Sequence, residues 1–88
     1  MNDFPHSLLD EYKTQASILL KQLHSDNQQQ ALQAAIRFQQ LPLFAQLSSS
    51  EVIQSNTVKL KHALAVIAHE HAYESWHDFK HYLTRKDT

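Results

Sequence analysis

Not one of the 88 residues is glycine, and that absence constrains the fold more than anything the chain contains. Hairpins and sheet corners carry the backbone through positive φ every few residues, and glycine is the residue that enters that region freely. A chain with no glycine and two prolines is expected to be built of helices with few connections. Strong helix formers fill it instead: Ala, Leu, Gln, Lys and Glu dominate. The expected class is all-α, a compact bundle of four to five short helices. So short a chain supplies one core, so a single domain over 1–88 is expected.

The absence of cysteine removes disulfides, thiolate catalysis and cysteine-bound zinc together. Small secreted domains usually depend on such staples, so a cytoplasmic location is expected. The opening MNDFPHSLLDEY has no cationic stretch ahead of an apolar one and predicts no signal peptide. The longest apolar run, ALAVIA at 63–68, falls far short of the roughly 18–20 residues that cross a bilayer, so no membrane partner is expected.

Charge is balanced but uneven. Residues 1–56 hold Lys13, Lys21 and Arg37 against Asp3, Asp10, Glu11, Asp26 and Glu51. Residues 57–88 hold Lys59, Lys61, Lys80, Arg85 and Lys86 against Glu70, Glu74, Asp78 and Asp87, together with His62, His69, His71, His77 and His81. That half becomes distinctly positive in mild acid. At neutral pH it lacks the strong basic footprint of a nucleic-acid binder.

Apolar spacing predicts helices over 6–24, 28–40, 50–55, 58–71 and 75–84. In the first, Leu8, Tyr12, Ala16, Leu19, Leu20 and Leu23 form one stripe, and Pro5 suits its start. Ser25, Asp26 and Asn27 break the chain and cap the second helix. There Leu32, Ala35, Ile36 and Phe38 are expected to face inward, behind an outer face of Gln28, Gln29, Gln30, Gln33, Gln39 and Gln40. Pro42 ends that helix, and Leu43, Phe44 and Leu47 are expected to plug the core. Ser48, Ser49 and Ser50 ahead of Glu51 read as a capped short helix carrying Val52 and Ile53. Asn56 and Thr57 are expected to cap the fourth helix, with Leu60, Leu64, Ile67, Ala68 and His71 along one side and Ala63 and Val66 flanking. Ser75 and Asp78 give the last helix an imperfect capping box, because Asp reaches less far than Glu. Trp76, Phe79 and Leu83 form its apolar face, and Arg85 and Lys86 suit its negative pole.

The stretch LKHALAVIAHEHAYESWHDFKHYL, residues 60–83, resembles a recurring bacterial helical segment. That segment precedes ankyrin-repeat arrays or sits in glyoxalase-superfamily-related proteins. Its members share an apolar helix, a small-residue turn, an aromatic, a Ser-Trp pair and a leucine-bearing amphipathic helix. The Tyr73-Glu74-Ser75-Trp76 run carries the likeness. The upstream order is similar too: a long helix, a helix holding ALQAAIRF, then LP and a short helix. Similar sequences carry glycine where this chain has Ala72, which costs about 1 kcal/mol if the position is left-handed. The resemblance implies the helical fold and implies no activity.

Candidate chemistry is sparse. His77 and His81 lie four apart, a spacing at which two imidazoles can share a zinc or nickel ion. His69, His71 or Asp78 is a conceivable third ligand, but the HEH of 69–71 lacks the H-E-x-x-H spacing. No phosphate loop and no thiol nucleophile are present. Nothing in the spacing of Ser48, Ser49, Ser50, Glu70 and the histidines suggests a triad. No catalytic residue, cofactor or resident metal is therefore expected. The expected function is a non-catalytic helical interaction or accessory module with a protein partner, a second copy of itself included. One alternative is a helix-turn-helix-like DNA-binding regulator presenting His77, Lys80, His81, Thr84 and Arg85; a second is a histidine-based metal binder. Trp76 is expected in the core, between the last two helices.

Overall fold

The computed structural model describes residues 8–86, the side chains of 85 and 86 excepted. Five helices follow in order: α1 (Leu8–Leu23), α2 (Gln28–Phe38), α3 (Ser49–Gln54), α4 (Leu60–Glu70) and α5 (Trp76–Lys86). No strand occurs among the described residues. The expected all-helical bundle is what the chain forms. The expected helix start at Pro5 and the dipole contacts of Arg85 and Lys86 lie outside what is described.

Local chemistry sets the helix ends. The Asn27 side chain accepts from the Gln29 and Gln30 amides at 2.9 and 3.2 Å, satisfying two donors the helix itself leaves open. Ser48 and Glu51 form a reciprocal capping box, 3.2 Å to the Glu51 amide and 2.8 Å back to the Ser48 amide. Ser75 Oγ accepts from the Asp78 amide at 3.2 Å, the expected half of a box. Asn56 and Thr57 do not cap α4. Ser55 and Thr57 hydroxyls pair with each other at 2.7 Å, and α4 begins three residues later, at Leu60. There the Lys59 amide donates to His62 Nδ1 at 2.9 Å, a histidine in the role a Glu or Gln usually fills.

α1 packs on α4 and α2, α2 on α3, and α5 closes on α4 and α1. The core is Ala16, Leu19 and Leu23 of α1, Ala34, Ala35 and Phe38 of α2, Val52 of α3, Ala63, Val66, Ile67 and Ala68 of α4, and Phe79 and Leu83 of α5. Three expectations of facing are corrected. In α2 the buried side is Ala31, Ala34, Ala35 and Phe38, while Leu32 and Ile36 stand 45% and 53% exposed. Alanines let α1 and α2 approach closely, which longer side chains on that side prevent. In α4 the helix is turned so that Ala63 and Val66 are central and Leu60 is largely exposed. In the turn after α2, Leu41 and Phe44 enter the core and Leu43 projects outward at 66% exposure.

Two tethers join distant segments. Arg37 grips Glu70 with both arms of its guanidinium, at 2.9 and 2.7 Å, and Gln40 donates to the same carboxylate at 2.9 Å. Gln39 donates to the Leu47 carbonyl at 2.7 Å and accepts from Ser49 at 3.2 Å. Two of the six glutamines read as solvent-facing thus fasten α2 to α4 and to α3.

Candidate functional site

The residues singled out on α5 do come together. His77, Lys80, His81 and Thr84 line a hollow of about 100 Å³ on the outer face of the helix. The two imidazoles lie nearly parallel, 17° apart with centroids 6.4 Å distant. Thr84 Oγ1 is spent on the His81 carbonyl at 3.0 Å. Arg85 shares the helix, its side chain being outside the described residues. Among the described residues no three of His, Cys, Asp or Glu are grouped as a metal would need. A hollow this small on a convex helix edge can contact a flat surface but cannot enclose a substrate.

Two histidines outside this hollow, His71 and His62, pack against aromatic rings. His71 Nδ1 lies 2.8 Å from the Ile67 carbonyl, and its ring stacks on Phe79 at 4.8 Å and meets the edge of Tyr12 at 4.8 Å. His62 packs edge-on against Phe44 at 5.2 Å while holding the start of α4. Around Phe79, 3% exposed, gather Tyr12, His71, Tyr73 and Trp76, with centroids 4.8–6.0 Å from its own. Trp76 is half-buried and packs against this core from its margin, so the expected core role holds only in part.

Electrostatics set a pH response. Desolvation first, then the neighbouring charges of Lys61 and Lys59, hold the His62 pKa below its ordinary 6.5. The folded state therefore favours neutral His62, whose Nδ1 must accept the Lys59 amide. Its contribution is present above the unfolded pKa and is lost as pH falls through the lowered folded value. The Arg37 hydrogen bonds hold Glu70 below its ordinary 4.5, overcoming partial burial, with Gln40 adding to the effect. That contribution is lost only in stronger acid. The melting temperature is thus expected to fall from pH 7 to pH 5. His62→Gln keeps an acceptor for the Lys59 amide without a titrating ring, and should flatten that part of the profile. An equally steep decline in the variant would assign it to other groups.

Sequence reasoning put the glutamines on the outer face of α2 but not the large aliphatic side chains beside them. Between α2 and α3 runs an open groove of about 380 Å³ lined by Ser25, Gln28, Ala31, Leu32, Ser50, Ile53 and Gln54. Ile36 lies one turn beyond Leu32 on the same side of α2. No residue from 28 to 36 carries a charge. Gln28, Gln29 and Gln33 are exposed there. The signal was present in the 31, 34, 35, 38 spacing, which is a complete helical stripe once alanine counts as a core residue. No family model, curated protein or solved structure matches the chain.

Proposed function

We propose that the chain is a non-catalytic, cytoplasmic protein-interaction module that docks through the outer face of α2 and its groove with α3. One observation carries this reading. Two large aliphatic side chains, Leu32 and Ile36, stand about half exposed on one uncharged helix face. Scattered single hydrophobics are ordinary on a surface; two on consecutive turns beside a groove form a docking strip of the helix-in-groove kind. An uncharged strip does not attract phosphate or lipid headgroups, which favours a protein partner. In this reading the chain belongs with the helical segments that its Tyr73–Trp76 turn resembles.

The exposed α5 face is what favours the DNA-binding alternative, and the two make opposite predictions. A photo-crosslinker placed at Ile36 should yield adducts with a defined protein in an extract of the producing cells, and one at Gln15 should not. Adducts at Ile36 should vanish with Leu32→Glu. An electrophoretic shift with duplex DNA that weakens steeply with salt, and is lost on Lys80→Glu, would overturn the reading in favour of DNA.

A further inference from the structure

Resting on the interaction reading, we infer that the partner seated on the outer face of α2 is a second copy of the chain, in a two-fold symmetric, antiparallel α2–α2 contact. The chemistry of the face is self-complementary. In a two-fold contact each side chain meets the same patch of its copy, so a charge near the axis faces a like charge. From Gln28 to Ile36 no charge exists to do so. The nearest cation, Arg37, is held in the fork to Glu70 on the adjoining side. The polar residues that flank Leu32 and Ile36 are glutamines, whose carboxamides both donate and accept and can therefore pair with themselves across an axis. The side-chain carboxamides of Gln29 and Gln33 make no hydrogen bond among the described residues, unlike those of Gln30, Gln39 and Gln40.

Helix geometry gives the register. Leu32 and Ile36 lie four apart, so they share one side of α2. An antiparallel crossing centred midway between them sets Leu32 of each copy on Ile36 of the other, twice over. Gln29 and Gln33 border that apolar centre. α2 is 11 residues long, about 16 Å, and Ile53 and Gln54 of α3 widen the patch at its groove side. That is a contact at the small end of specific interfaces, so a weak, concentration-dependent dimer is expected.

Sedimentation velocity over a concentration series should show monomer passing to dimer. Ile36→Glu and Leu32→Lys, each on an exposed position, should each weaken association about ten-fold or more while leaving the helical circular dichroism unchanged. An equimolar mixture of the two should recover the association, since one Lys then faces one Glu. The chain has no cysteine, so mixing Leu32→Cys with Ile36→Cys gives a second readout. Their mixed disulfide should form much faster than the homodisulfide of Gln15→Cys. A monomer at millimolar concentration with no faster cross-linking overturns the self-contact. In that case an Ile36 photo-adduct with a different protein leaves the interaction reading standing, and the absence of any adduct removes both. A dimer that persists in Ile36→Glu and Leu32→Lys overturns the assignment of the contact to α2.

Discussion

Phe79→Ala is expected to leave much of the population unfolded near body temperature. Removing a buried phenylalanine costs about 3–5 kcal/mol through lost burial and the cavity left behind. A small domain has a total stability of about 5–15 kcal/mol. At about 4–8 °C per kcal/mol for a domain of this size, the melting temperature should drop by roughly 12–40 °C. The position makes the upper part of the range the better expectation. Phe79 touches Tyr12 of α1, His71 and Tyr73 of the turn, and Trp76 of its own helix. Without it Leu83 is the one other fully enclosed side chain among the described side chains of α5. Thermal unfolding followed by circular dichroism measures this directly, and a fall of only a few degrees would show that α5 is held by something else.

Ala72→Gly is expected to move stability the other way. Ala72 has φ 69° and is the one described residue with positive φ. It closes α4 in a Schellman arrangement: the Tyr73 amide reaches the Ala68 carbonyl and the Ala72 amide the His69 carbonyl, both at 3.0 Å. The left-handed conformation costs a residue with a Cβ about 1–2 kcal/mol, and glycine avoids it. Part of the gain is offset because glycine also frees the unfolded chain. A net gain of about 1 kcal/mol remains, raising the melting temperature by roughly 4–8 °C. Ala72→Val should do the reverse, since a β-branched residue is least tolerant of that region. A melting temperature that falls with glycine would mean the turn is not left-handed in solution.

The strain at Ala72 also shows what was legible from sequence. The absence of glycine pointed correctly to helices, and the same absence forced alanine into the one described turn that wants glycine. Caps at Asn27, Ser48 and Ser75 were readable because a short polar side chain directly precedes each helix, whereas Asn56 and Thr57 misled because α4 starts only at Leu60. What was not readable was orientation about a helix axis. Leu32 and Ile36 follow helical spacing as faithfully as Ala31, Ala34, Ala35 and Phe38, and hydropathy alone favours the larger pair. The decision is made by how near α1 comes, a tertiary fact that no window of α2 contains. Spacing put His71 on the inner side of the fourth helix, but its ring partner and that of His62 were not readable, for a related reason. An imidazole on a helix looks solvated until Phe44 and Phe79 are known to lie against it. The α5 cluster was legible because i, i+3, i+4 and i+7 positions of one helix are neighbours by construction. The α2–α3 face joins segments whose adjacency depends on the fold.

The pairing of α1 with α4 has a consequence for how the chain is made. α1 ends at Leu23 and α4 at Glu70, so a ribosome must add the residues between them before Leu19 and Leu23 can be covered. At about 5–20 residues per second that is an interval of roughly 2–10 s. During it the apolar stripe of α1 has only α2 to shelter it. A nascent chain halted just before α4 emerges should therefore be more protease-sensitive and more chaperone-bound than one halted just after.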